Sequence, residues 1–240
     1  MNNFELAAKC KAIALHYKTL YVLGGIGFPL TKSMKERCMA QYSYNAKRRK
    51  MIEAASADTF GFDCVGLIKS GCFWGWNGDV NAIYGGAKYA SNGVPDIGAD
   101  YMITLCKNVS TDFRKIEIGE AVWKKGHIGV YIGGGLAVEC TPAWANKVQI
   151  TAVKNIGTRK GYESRTWTKH GKLPWATYLP PGDIDYDGSV TAADARLALR
   201  ASVGSEKLTD AQKLAADVNA DEQITAADAR DILREAVKKK

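Results

Sequence analysis

Cys64 sits in the run Phe60-Gly61-Phe62-Asp63-Cys64-Val65-Gly66-Leu67-Ile68. Gly61 permits a tight bend, and Val65, Leu67 and Ile68 open a buried helical face, so the run delivers one thiol to the start of a helix. The unsatisfied backbone N–H groups and positive end of a helix favour thiolate, the nucleophilic form of cysteine. A buried structural cysteine is the commoner fate of this residue type. What lifts Cys64 above it is a second run, Gly126-His127-Ile128-Gly129-Val130-Tyr131-Ile132-Gly133. His127 opens a strand, which holds an imidazole rigidly, as a general base toward a thiol requires. Glu139 follows on the next strand, across the hairpin turn Gly133-Gly134-Gly135. A carboxylate there orients the ring and stabilises the imidazolium. A strand-edge histidine and a solvent-facing glutamate are the plain alternatives. In this order the three residues form a constellation for thiol attack on an amide carbonyl.

A second group of chemistry-bearing residues lies at the other end. At a shift of 34 residues the tail matches itself: Thr191-Ala192-Ala193-Asp194-Ala195-Arg196 recurs as Thr225-Ala226-Ala227-Asp228-Ala229-Arg230. Spaced oxygen ligands precede each copy. At loop positions 1, 3, 5, 7 and 12 stand Asp183, Asp185, Asp187, Ser189 and Asp194, then Asp217, Asn219, Asp221, Gln223 and Asp228. Position 7 offers its backbone carbonyl, and the set suits a hard cation such as Ca²⁺. Gly188 serves the sharp turn at position 6. Glu222 replaces it in the second copy, which predicts a strained, weaker site.

The elements that must position these groups follow from the pattern. Phe4, Leu6 to Ala8, Ala12, Ile13, Leu15 and Leu20 recur at helical spacing, and His16 on or near that helix reads as an ordinary helix residue. Tyr21-Val22-Leu23-Gly24-Gly25 breaks it, and Ser33 to about Ala57 favours helix. Trp74 and Trp76 stand in a loop-like stretch and read equally as packing anchors or as groove-lining rings. Tyr84 to Thr111 mixes a helix with loops. Short runs rich in Val, Ile, Trp and Tyr at 120–123, 127–132, 136–140 and 147–153 predict an antiparallel meander, with Trp175 to Leu179 as a last strand. Helices first and strands after argue for an α+β body. Pro180-Pro181-Gly182 is a boundary, giving a body over 1–180 and a module over 182–240.

Charge divides the same way. From Pro181 onward there are 9 basic and 12 acidic residues, whereas the rest carries a net +11. A basic body suits an anionic partner; a nucleic acid rests on charge alone and an anionic cell wall fits equally, while Lys47-Arg48-Arg49-Lys50 reads as a solvated helix face. The six cysteines match no zinc spacing, and no disulfide framework is expected. No apolar run approaches the ~20 residues of a membrane span. The first residues, Met1-Asn2-Asn3-Phe4-Glu5-Leu6, lack the basic and apolar regions of a signal peptide.

Phe62-Asp63-Cys64-Val65-Gly66-Leu67 and Gly126-His127-Ile128-Gly129-Val130-Tyr131-Ile132-Gly133 resemble the two signature blocks of NlpC-type cell-wall cysteine peptidases, and Tyr21-Val22-Leu23-Gly24-Gly25 resembles that family's upstream tyrosine–glycine block. The resemblance covers roughly Leu6 to Val153. It implies a papain-like α+β fold and hydrolysis of an amide bond in peptidoglycan, usually the D-Glu–diamino-acid bond of the stem peptide. Cys64 matches the nucleophile, His127 the base, Asp63 a substrate-contacting acid and Tyr21 a tyrosine near the nucleophile. Glu139 falls where His, Asn or Gln is common, Val65 where Ser is usual, and Glu120-Ala121-Val122-Trp123 departs from the usual Gly-Asp-Leu-Val-Phe type of block. An acid at 139 favours a Cys64 thiolate–His127 imidazolium pair.

Gly182 to Val237 resembles a type I dockerin, which implies two Ca²⁺-binding loop–helix units docking onto a cohesin domain of a scaffold, as in a cellulosome. No cofactor is implied for catalysis. Positions 10 and 11 help choose the cohesin in that family, and here both copies carry Ala-Ala (Ala192-Ala193 and Ala226-Ala227) instead of polar pairs. Both resemblances imply an extracellular or wall-associated protein; with no signal peptide visible, phage-like release by lysis would reconcile them. An amidase or acyltransferase of the same fold on another amide or a lipid, and an inactive wall-binding body borne by a dockerin, are the competing readings.

Overall fold

The computed structural model describes residues 1–238. Helix α1 (Asn3–His16) begins at a capping box: the Asn2 side chain accepts from the Glu5 N–H at 2.8 Å and the Glu5 carboxylate accepts from the Asn2 N–H at 2.8 Å. Its buried face, Leu6, Ala7, Cys10 and Ile13, packs into the main core. Then come β1 (Thr19–Tyr21), β2 (Ile26–Pro29), α2 (Lys32–Gln41), α3 (Ser43–Ala46), α4 (Arg49–Ala54) and β3 (Phe60–Phe62). The helix expected over Ser33 to Ala57 is thus three short ones, since Tyr42 turns extended and the buried Asn45 amide bonds the Leu23 and Cys38 carbonyls. The strands β1, β3 and β2 form a small sheet, with β3 central.

Cys64 opens α5 (Cys64–Gly66), which continues as a π-helix over Leu67–Phe73. After α6 (Ala99–Leu105) the second sheet begins. Its strands are β4 (Lys107–Ser110), β5 (Ala121–Lys124), β6 (His127–Gly133), β7 (Leu136–Cys140), β8 (Val148–Val153), β9 (Ser164–Arg165) and β10 (Lys169–Lys172), in the order β4-β10-β5-β6-β7-β8-β9. The meander β5 to β8 is antiparallel, while β9 joins β8 in parallel. The body is mixed α+β, with α1 and the helix that Cys64 opens packed on this sheet. Trp175 to Leu179 is not a strand; Thr177 makes one bridge to Asn2. The last strand is instead Lys169-His170-Gly171-Lys172, inserted between β4 and β5, whose polar sequence hides a buried His170.

The tail comprises α7 (Ala192–Ser202), α8 (Asp210–Ala216) and α9 (Ala226–Lys238), with α7 against α9 and a small core of Ile184, Val190, Ala198, Leu208 and Ile232. Helix α8 lies on α1. Phe4 is fully buried among Ala211, Ala215 and Leu179, and its ring stacks on Tyr186 at 6.5 Å. No helix among the described residues is long and apolar enough to cross a membrane.

Candidate active site and calcium loops

The turn before Cys64 is built by Asp63. Its Oδ1 accepts from the Gly66 N–H at 2.6 Å and its Oδ2 from the Gly24 N–H at 2.9 Å, while its own N–H donates to the Gly25 carbonyl at 2.9 Å. Asp63 is therefore the N-cap of the helix that Cys64 opens, and both its oxygens are engaged by backbone; burial pushes its carboxyl above the usual range. The glycines are required by closeness: a Cβ on Gly66 would fall 1.9 Å from the Gly25 carbonyl oxygen. A hydroxyl of Ser70 then anchors the π-helix to the Ile26 carbonyl at 2.5 Å, a wide-turn segment of the kind found at functional sites.

Cys64 is 7% exposed. Burial, then the Asp63 charge, pushes its thiol up to about 12, against the pull of the backbone N–H groups of Ile128, Val65 and Cys64 itself. The expected stabilisation of thiolate by the helix start is thus outweighed by desolvation, because the regular α-helical segment is one turn long and the sulfur lies in the core. The fold thus favours the thiol over the thiolate at Cys64. Its sulfur lies against the N–H of Ile128, the residue after His127; among the described residues no hydrogen bond joins Cys64 to His127.

The sheet register brings His127 and Glu139 together. Gly129 on β6 pairs directly with Glu139 on β7, so His127, two residues earlier on the same face, is Glu139's diagonal neighbour. His127 Nε2 and Glu139 Oε2 are 2.7 Å apart. An ionised carboxylate only accepts, so Nε2 carries the proton and the neutral ring keeps a lone pair on Nδ1. Gly129 sits in a tight place: a Cβ there would fall 2.7 Å from the Val138 carbonyl oxygen and 3.3 Å from Trp167, and Trp167 stacks on His127 at 5.5 Å with planes 8° apart.

Glu139 is fully buried and satisfied on both oxygens. Thr151 Oγ1 donates to Oε1 at 2.6 Å and Arg165 Nε donates to Oε2 at 2.6 Å. Burial raises its carboxyl, but the hydrogen bonds from His127 and Arg165 prevail and hold it below the ordinary value. The Arg165 guanidinium lies over the rings of Trp144 and Trp167, at 4.7 and 5.7 Å. Arg165 shares the Oε2 atom with His127 and neutralises much of the charge that would stabilise an imidazolium. Glu139 thus acts on His127 chiefly by fixing its tautomer and plane. Arg165, Thr151 and Trp167 were not singled out from the sequence. Period-2 alternation on β8 would have placed Thr151 on the Glu139 face, whereas Arg165 and Trp167 come from a two-residue strand and its exit, which carry no pattern.

Tyr21 is half-buried on β1, paired with Phe62; burial, then Cys64 and Asp63 nearby, raise its hydroxyl. Trp74 and Trp76 line no groove. They are 1% and 2% exposed, and their indole N–H groups donate to the Val94 and Gly27 carbonyls, each at 2.8 Å. Trp76 meets Tyr17, Phe60 and Phe62 edge-on. Their flanking glycines mimic a loop, but the helix runs on to Phe73, Trp74 caps its end, and the turn at Gly75 (φ +82°) leads to Trp76, so both rings lie in the core. Another pair, His170 and Glu120, is buried in the sheet: His170 Nδ1 meets the Glu120 carboxylate and Nε2 donates to the Asp112 carbonyl.

In the first tail loop Asp183, Asp185 and Asp187 each offer an oxygen within 4.8 Å of the others, and the buried Asp183 Oδ1 has no partner. Burial, with Asp194 and Asp187 nearby, raises the Asp183 carboxyl. An orphaned oxygen amid like charges fits a divalent cation. Asp194 closes the loop, accepting from Ile184 and Asp185 N–H and from Thr191, and Ser189 donates its N–H to Asp187. The second loop repeats this with Asp228 and Gln223. There, however, both Asp217 oxygens accept backbone N–H groups, and the Asn219 amide donates to Asp221 at 3.0 Å. Glu222 takes φ +67°, a left-handed conformation that Gly188 adopts freely at +92°.

Residues 181–235 match the family model described as Dockerin type I domain. No curated protein and no solved structure matches the chain. The tail is thus a dockerin domain, which implies attachment to a cohesin scaffold. Proteins bearing it are usually extracellular or cell-surface components of such assemblies.

Proposed function

We propose that the body is a papain-like cysteine peptidase of the NlpC type that hydrolyses a stem-peptide amide bond of peptidoglycan, the D-Glu–diamino-acid bond, and that the dockerin carries it to its site of action on a cohesin scaffold. The observation that carries the reading is a thiol at a helix start packed against a strand whose histidine is fixed by a buried carboxylate at 2.7 Å. The neutral thiol makes His127 a general base: Nδ1 takes the Cys64 proton as the sulfur attacks the carbonyl, and the imidazolium then protonates the leaving amine. Water, activated by the same nitrogen, releases the acyl group. Backbone N–H groups at the helix start stabilise the oxyanion. Residues Asp183, Asp185, Asp187, Ser189 and Asp194 would hold Ca²⁺ in the first dockerin loop, and Asp217, Asn219, Asp221, Gln223 and Asp228 in the second. The bound ion supplies charge neutralisation that lets each loop close. The basic body suits an anionic wall.

Digestion of purified muropeptides by wild type and Cys64→Ala, followed by mass spectrometry, tests the reading. Loss of at least about a thousandfold in turnover is expected; equal turnover would sink it. A second reading, an inactive wall-binding body, draws on the burial of Cys64 and its raised thiol. It requires that Cys64 resist iodoacetamide even when muropeptide is bound.

A further inference from the structure

All six cysteines are thiols in this structure, and their sulfurs have different neighbours. Cys38 donates to the Lys35 carbonyl at 3.2 Å, Cys106 to the Met102 carbonyl at 3.5 Å and Cys140 to the Phe62 carbonyl at 3.3 Å. Cys64 lies against the Ile128 N–H. Cys10 and Cys72 instead face each other, sulfur to sulfur at 3.2 Å. They stand 62 positions apart in the chain, so no local spacing links them.

The fold brings this pair together in its main core. Cys10 is on the buried face of α1 and Cys72 on the π-helix that follows Cys64; they are 0% and 2% exposed. Gly71 lets the two elements close on each other: a Cβ there would fall 3.1 Å from the end of Ile13, three residues beyond Cys10. Two cysteines on closely packed elements with converging side chains are what a disulfide requires, and about 1.2 Å of approach would join these sulfurs. The compartment agrees. Proteins bearing a dockerin are usually extracellular, where paired thiols oxidise and the bonds persist.

We propose that Cys10 and Cys72 are a disulfide site, joined as the chain folds outside the cell, and that the bond staples α1 to the helix that Cys64 opens. The oxidant is a small-molecule disulfide such as glutathione disulfide. The thiolate of one cysteine attacks a sulfur of that disulfide and releases one thiol. The thiolate of the other cysteine then attacks the protein sulfur of the mixed disulfide and releases the second. Two protein thiols are oxidised, one small disulfide is reduced to two thiols, and the protons pass to these through solvent. In the folded state the hydrogen bond to Cys72, then burial, raises the Cys10 thiol. Exchange therefore belongs to folding, before the core closes, and the finished bond is shielded from reductants. Cys64 lies inside the closed loop and stays a thiol.

The test uses the full chain, reduced, denatured and refolded with calcium in a buffer of glutathione and glutathione disulfide, beside a sample kept in reductant. After alkylation of free thiols in denaturant, the oxidised sample should carry four labels against six. A non-reduced digest should contain one peptide pair, joining Cys10 to Cys72. The oxidised sample should melt roughly 5–10 °C above the reduced one, a difference that vanishes in the double variant Cys10→Ala, Cys72→Ala. Six labels after oxidative refolding, a link between any other pair, or equal melting temperatures of the oxidised and reduced samples overturns the proposal. Counting and mapping are done on wild type, so they decide the matter even where the double variant fails to fold. None of these readouts depends on the peptidase reading.

Discussion

Two buried carboxylates, Glu139 in the body and Asp183 in the tail, meet the same cost of desolvation in opposite ways. Glu139 has both oxygens answered by protein: His127, Arg165 and Thr151 converge on it, and its carboxyl is held below the ordinary range. Asp183 has one oxygen without a partner, other acids close by, and a carboxyl pushed up. The body's carboxylate is satisfied by side chains of the chain itself. The tail's first loop is built around a charge that the chain does not supply.

Breaking the body's half should have the largest effect. Glu139→Ala leaves the Arg165 guanidinium buried without its carboxylate, at a cost of about 3–5 kcal/mol, read as a lower denaturation midpoint in urea. Glu139→Gln keeps the Thr151 contact and should cost less while still lowering turnover. Equal stability of the two variants would show that the Arg165 pair matters little. Calcium chelation probes the other half: it should remove much of the tail's helical circular dichroism and abolish cohesin binding, as expected when a site's affinity is coupled to folding. Under the proposed function hydrolysis should persist, because among the described residues no hydrogen bond or ion pair joins a calcium-loop residue to Cys64, His127 or Glu139. Loss of hydrolysis on mild chelation would contradict that separation. Some loss of thermal stability in the body is expected, since Phe4 is covered by α8, and burying such a side chain is worth roughly 1.5–3 kcal/mol.

A pH titration sharpens the contrast. Glu139 has a lowered carboxyl in the fold, so its contribution to stability is present above the unfolded value of about 4.3 and is lost as pH falls through the lower folded value. The melting temperature of wild type should therefore drop more steeply below about pH 4.3 than that of Glu139→Gln; parallel curves would count against the assignment. The smallest effect expected is from Glu222→Gly in the second calcium loop. Relief of a left-handed glutamate should stabilise the calcium-bound tail by about 1 kcal/mol, read in thermal melts at saturating calcium. Destabilisation would mean that the Glu222 side chain, which reaches the Gly134 turn of the body, contributes more than its backbone costs.

Much of the frame was legible in the chain. The β-branched runs between glycines mark β5 to β8, since a period of two survives wherever one face is buried, and the 34-residue repeat marks both loops because ligand spacing is local. Trp74 and Trp76 were ambiguous because a ring's type does not say which way it faces; the π-helix turns both inward. The strand Lys169–Lys172 was illegible because its apolar signal is absent and its pairing depends on β4 and β5, which lie distant in sequence. Arg165 is 26 residues from Glu139, and only the closing of β9 onto β8 brings it there.

By itself the sequence determined the local things: which residue types stand at a helix start, on adjoining strands and in two calcium loops, because capping, alternation and ligand spacing act over a few residues. The tertiary structure alone decided their chemical state. It buried Cys64 and so raised its thiol, and it gave Glu139 an arginine that tempers its charge. Desolvation and pairing are sums over everything that folds around a group, and no stretch of chain contains that sum.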